Sequence, residues 1–158
     1  MTELTPAHHP FEMNVMLFNV GTDLYAIDLS LVKEIILPPS HLAQLPITPP
    51  LLRGLILSRN NIYPLVHLSK AALNLTHDEA RVILLTEGER RLALYTEHLH
   101  DILPLSSKSL VERDSPNKFK WVFEMFETPK GNVFLLDFEK LYTTLVDQAN
   151  QADSIPIL

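Results

Sequence analysis

The chain has 158 residues, 46% apolar and 20% charged, with a formal net charge of −6 and no cysteine. That length suits one domain, or two small barrels sharing a core, and an acidic balance without clustered Lys and Arg excludes binding driven by nucleic-acid phosphates. The missing cysteines exclude disulfides, thiol catalysis, thiolate zinc and iron–sulfur ligation. Four scattered glycines, Gly21, Gly54, Gly88 and Gly131, cannot build the glycine-rich loops that cradle nucleotide phosphates, so each is expected at a turn. No apolar run approaches the ~18 residues of a membrane span, and no signal-like segment opens the chain. A cytoplasmic protein without membrane insertion is therefore expected.

Residues 1–12 read as a flexible tail, with His8-His9 too poor in neighbouring ligands for a metal site. Val15 to Val20 is expected as a strand, turned by Gly21-Thr22-Asp23 into a second strand from Leu24 to Ile27. Asp28 or Ser30 then caps a short helix from Leu29 to Ile36, because Leu31, Val32 and Ile35 fall at helical spacing. On that helix Val32 and Glu34 lie about half a turn apart, one facing the core and the other water. Five prolines between Pro38 and Pro50 make a stiff extended connector.

The stretch from Arg53 to Leu68 reads as a buried hairpin, with arms Leu55–Leu57 and Ile62–Leu68 and a turn at Asn60-Asn61. Pro64 cannot donate to a ladder, so the second arm is expected at an edge or a bulge. Arg59 projects from the turn as a contact residue. Ser69 to Ala80 is a polar loop with about one helical turn. A second hairpin follows, Arg81–Thr86 and Arg91–Thr96 around Glu87-Gly88-Glu89. From Glu97 to Leu105 the chain stays extended, which sets His98 and His100 on one face; with no third ligand in view, plain or pH-sensitive histidines are expected there, and no metal. Ser106 to Lys120 reads as a polar loop. Trp121–Phe126 and Val133–Leu136 are strands around the turn Thr128–Asn132, and Asp137 caps a closing helix from Phe138 to Ala149. Residues 150–158 read as a tail. Short strands joined by turns, with one or two short helices, mean a mainly β barrel or sandwich of antiparallel type.

Three segments together resemble the CheW adaptor family of bacterial chemosensory systems. The first is Phe18-x-Val20-Gly21-x-x-x-Tyr25-Ala26-Ile27-Asp28-x-x-x-Val32-x-Glu34-Ile35. The second runs from Thr48-Pro49 through Arg53-Gly54 and Arg59 to Pro64-Leu65-Val66-x-Leu68. The third is Leu135-Leu136-Asp137-x-Glu139-Lys140-Leu141, and a weaker match spans Leu92 to Leu103. The resemblance implies two SH3-like five-stranded antiparallel barrels sharing one core over residues 13–149. It also implies a non-enzymatic role without cofactor: holding the regulatory domain of a CheA-type histidine kinase in an array with chemoreceptor cytoplasmic tips. The residues matching the family's contact region are Val32, Glu34, Gly54, Leu57, Arg59 and Asn60. The chain departs from the family where Leu57-Ser58-Arg59-Asn60 replaces Asn-Leu-Arg-Gly, and where His67 replaces an Asp. Ala93 stands for a glycine, and Trp121-Val122-Phe123-Glu124 replaces a glycine-containing segment.

Two other classes remain at this point. A Ser–His hydrolase would draw on Ser106, Ser107 and Ser109 with His98 and His100, but no nucleophile-elbow motif supports it. A self-assembling barrel without a kinase partner would act as a scaffold.

Overall fold

The computed structural model describes residues 11–40, 42, 50–111 and 121–153. The elements in chain order are β1 (Glu12–Val20), β2 (Asp23–Asp28), a 3-10 turn (Leu29–Leu31), β3 (Val32–Ile36), β4 (Leu52–Ser58), β5 (Asn61–Val66), β6 (Arg81–Glu87), β7 (Arg90–Thr96), β8 (His98–Ser106), β9 (Val122–Thr128), β10 (Gly131–Leu136) and α1 (Phe138–Asp153). The strands form two five-stranded sheets, ordered β8-β1-β2-β10-β9 and β3-β6-β7-β5-β4. The structured chain thus runs past the expected 13–149 at both ends. The tail readings at 1–10 and 154–158, the connector over 43–49 and the loop over 112–120 lie outside the described residues.

The middle strands are buried on both faces, and this is why they read as unbroken apolar runs. Along β6, Ile83 and Leu85 face one cluster while Val82 and Leu84 face another. Along β1, Met16 and Phe18 join the first cluster, and Val15 and Leu17 point the other way. Each sheet therefore encloses a core of its own, around Leu65 and Tyr95 in one and around Phe126 and Leu135 in the other. Between them lies a shared core of Phe18, Tyr25, Ile83, Leu85 and Leu94, closed by Phe138, Leu141 and Leu145 of α1. The expected architecture of two small barrels on one apolar core is what the chain adopts.

Three local expectations need correction. The first concerns Leu29–Ile36, where helix is confined to the 3-10 turn Leu29–Leu31; Asp28 Oδ1 caps it by accepting from Ser30 N at 2.9 Å. Val32–Ile36 is instead a strand on β6. Its register shifts between Val32 and Glu34, so Lys33 is an extra, bulged residue. The bulge puts Val32 and Ile35 opposite Leu85 and Ile83, on one face of the sheet though three residues apart. A bulged strand thereby reproduces the i, i+3 spacing of a helix.

The second is strand direction: each sheet holds one parallel pair, β2 with β10 and β5 with β7. The third is the loop Ser69–Ala80, which is made of bends and turns without a helical turn. Pro64 has a simple account. β5 lies inside its sheet, but it pairs with β7 only at Leu65 and Val66, so Pro64 faces one ladder, that of β4.

The two sheets are copies of one plan. Gly21 and Gly88 open the β1–β2 and β6–β7 turns with φ of 62° and 63°. Ala26 and Ala93 follow at the same distance from those glycines, and each joins the parallel pair, opposite Leu135 and Leu65 respectively. Likewise β9–β10 repeats β4–β5, and β8 repeats β3, including the register shift opposite β1. The hairpin β1–β2 therefore completes the barrel whose other strands come last in the chain.

Candidate protein-binding site

The β4–β5 hairpin turns at Arg59-Asn60, with φ of 50° and 69°, and not at Asn60-Asn61. Ser58 pairs with Asn61, so two residues span the gap, and both have φ > 0 as in a type I′ turn. A turn one residue later would draw polar Ser58 inward opposite Tyr63; the observed register puts Ile56 there. Asn60 suits the left-handed region, while Arg59 is an uncommon occupant of it.

Arg59 reaches the edge strand β3. Its Nε and Nη2 donate to Oε1 and Oε2 of Glu34, each at 3.3 Å, a two-pronged pair with side-chain exposures of 75% and 31%. The Glu34 carboxylate raises the guanidinium pKa further. Leu57 and Ile62, 73% and 56% exposed, form the cross-strand pair next to this turn. Of the residues expected to make contact, Glu34, Leu57, Arg59 and Asn60 come together at this surface. Val32 and Gly54 do not: Val32 packs against the shared core, and Gly54 is buried at the bulge of β4. Val32 and Glu34 do take opposite faces, as alternate sides of a bulged strand.

Ile62 escaped sequence reasoning because its partner depends on the turn. With the turn at Asn60-Asn61 it would face Arg59; with the observed turn it pairs with Leu57. The Glu34–Arg59 contact joins distant stretches of chain and left no local signal.

Four of the other candidates, His98, His100, Ser106 and Ser107, have structural partners. His98 Nδ1 contacts Glu79 Oε1, His100 Nε2 contacts Asn19 Oδ1, and the two rings meet edge to face at 4.5 Å. Burial and the neighbouring His98 hold the His100 pKa below its usual value. Ser106 Oγ and Ser107 Oγ accept from the backbone N–H groups of Lys108 and Phe11 at 3.3 Å each. Among the described residues no group of three or more His, Asp or Glu side chains is arranged to hold a metal.

The internal repeat carries the ion pair as well. Asp101, the β8 counterpart of Glu34, pairs with Lys130 in the β9–β10 turn at 3.3 Å. An acidic edge strand thus meets a basic hairpin tip on both barrels.

The CheW-like domain model matches residues 14–146, nearly the whole described chain. The chain belongs to the CheW-like domain family. Among solved structures it is similar to the scaffolding protein TtCheW from Thermoanaerobacter tengcongensis, with a TM-score of 0.68 and 18% identity over 81% of this chain and 90% of that one. At that identity the likeness speaks for the fold. No curated protein matches the sequence. A CheW-like domain of this kind is a scaffold or adaptor unit for chemotaxis signalling, and no helix among the described residues is long and apolar enough to cross a membrane.

Proposed function

We propose that this CheW-like chain is a non-enzymatic, cytoplasmic adaptor that binds the regulatory domain of a CheA-type histidine kinase and couples it to chemoreceptor tips. The working unit is the CheW-like domain expected over residues 13–149, with the strand and helix ends that extend it to Glu12 and Asp153. The observation that carries the reading is the hairpin tip: Arg59 sits at φ 50°, pairs with Glu34 across to β3, and stands beside exposed Leu57. An unusual backbone held at an exposed, charged and apolar corner belongs to a contact surface, since neither feature serves the core. The planar donor fork of Arg59 suits a polar rim around apolar contacts. His98, His100, Ser106 and Ser107 each have a local structural partner, and this supports the adaptor reading over the hydrolase one.

Calorimetric titration against the regulatory domain of each CheA-type kinase from the same source tests this directly. Binding to one kinase is expected, and it would name the pathway, flagellar or pilus-driven. Arg59→Asp should weaken that binding at least tenfold while the melting temperature barely moves. A folded protein that binds no kinase would leave a CheW-like scaffold with some other partner.

A further inference from the structure

The first barrel keeps an open cleft where β2 and β10 finish and α1 begins. Its volume is about 500 Å³, and its floor includes Met13, Leu31, Leu136 and Phe138. Four carboxylates also line it, Asp28, Glu87, Asp137 and Glu139, and no Lys or Arg does. Caps account for two of them, since Asp28 Oδ1 accepts from Ser30 N and Asp137 Oδ1 from Lys140 N. Glu87 and Glu139 have no such duty; both are exposed, and they share the one guanidinium of Arg90. The internal repeat shows the same place when the chain covers it. In the second barrel Tyr95 stands where Asp28 does, and His67 where Asp137 does. There the loop Ser69–Ala80 closes over them: Leu73 packs on the cluster of Leu65, Ala80 and Tyr95, the counterparts of Leu135, Met13 and Asp28. Tyr95 Oη donates to Asn74 O at 2.9 Å and accepts from Asn74 N at 3.2 Å. No such loop follows β10, because the chain passes from Asp137 directly into α1. The covered end thus holds two aromatic rings, and the uncovered end two carboxylates.

We propose that this cleft is a docking site, separate from the Glu34–Arg59 surface, for a partner segment that carries an apolar side chain between cations. The proposal goes beyond the adaptor reading and shares no residue with that surface. The apolar part follows from the floor: a side chain of Leu or Phe size entering there does for the first barrel what Leu73 does for the second. The charge follows from the carboxylates. Set around an apolar floor, they repel an acidic segment and hold Lys or Arg heads whose stems lie along the apolar surface. A second copy of the chain is a poor occupant, because it brings its own net charge of −6 to an acidic rim.

Three synthetic peptides test both parts. The first is Gly-Arg-Lys-Leu-Phe-Arg-Lys-Gly, the second has Glu in place of every Arg and Lys, and the third has Ser-Ser in place of Leu-Phe. Each is titrated into the isotopically labelled full chain while amide chemical shifts are followed. The first peptide should move the amides of Met13, Leu31, Leu136 and Glu139, and should bind at least tenfold more tightly than either of the others. Raising the salt from about 50 to about 300 mM should weaken that binding severalfold, because the carboxylates that hold it are screened. Glu87→Gln with Glu139→Gln should weaken it at least threefold, with the spectrum away from the cleft unchanged. Equal binding of the acidic or the serine peptide, shifts confined to other surfaces, or no binding of the first peptide overturns the proposal. So do cleft amides that move when residues 1–10 are removed with no peptide present, which would give the cleft to the chain's own N-terminal segment. Wild-type self-association in sedimentation that the double variant abolishes would give it to a second copy, and overturns the proposal as well.

Discussion

His67 is fully buried, and neither ring nitrogen has a well-formed hydrogen bond among the described residues. Its ring stands edge-on to Tyr95 at 4.9 Å, and Tyr95 in turn ties down the loop through Asn74. The place corresponds to Asp137 in the other barrel, where a carboxylate caps a helix. Here a neutral ring is needed: burial pushes the His67 pKa from 6.5 to about 4, the Arg53 guanidinium adds to this, and Glu97 and the Ala71 backbone offset part. Arg53 spends its donors on the carbonyls of Pro50, Ser69 and Ala71 instead. Because the folded pKa is depressed, the unfolded chain binds the proton more readily between pH 6.5 and 4. Stability from this group is therefore intact above pH 6.5 and declines as pH falls toward 4, by up to ~3 kcal/mol. Urea melts of His67→Phe across pH 7.5 to 4.5 should show a flatter decline than wild type. An equal decline in both would place the acid sensitivity elsewhere. The identity of residue 67 was legible as a departure from the family, but its burial was not, since a histidine in a strand reads equally well as surface.

Among the elements, the hairpins show what could be read from the chain and what could not. Doubly buried strands announced themselves as apolar runs, and α1 as a stripe of Phe138, Leu141 and Leu145 behind Asp137. The strand β3 was hidden because its bulge imitates a helix, and the parallel pairs were hidden because nothing local encodes which hairpins meet. The cap itself is testable. Asp137 Oδ1 accepts from Lys140 N at 3.1 Å, and the Asp137 N–H donates to Trp121 O at 2.8 Å, so one residue joins the helix start to the approach of β9. Asp137→Ala should cost about 1 kcal/mol, lowering the melting temperature by ~2–4 °C. The turn of β4–β5 should respond oppositely. Arg59→Gly relieves a residue at φ 50°, so thermal melting should occur no lower than in wild type while kinase binding weakens. A clear drop in melting temperature would make the Glu34–Arg59 pair structural.

For the molecule as a whole, the shared core decides whether two barrels fold as one. Each sheet keeps an interior of its own, yet β1, β2, β6 and β7 turn their other faces to a common cluster, and α1 closes it. Chain order reinforces the link, since the barrel of β8–β10 is incomplete until the first hairpin joins it. An Arg90 bridge adds a further tie: from the β6–β7 hairpin it pairs with Glu139 of α1 at 2.7 Å and lies over the Phe138 and Tyr142 rings at 5.6 and 5.2 Å. Damage in one barrel should therefore be felt in the other. Leu65 is fully buried in the private core of the second sheet, whereas Trp121, the chain's one tryptophan, packs at the shared core beside β9 of the first. Leu65→Ala should remove about 2–5 kcal/mol. That loss should appear in full in the Trp121 fluorescence melt, coincident with the circular-dichroism transition, because a single cooperative unit has one transition for every probe. If Trp121 instead reports an unchanged midpoint while circular dichroism splits into two steps, the barrels are independent, and the shared core is a contact surface between two domains.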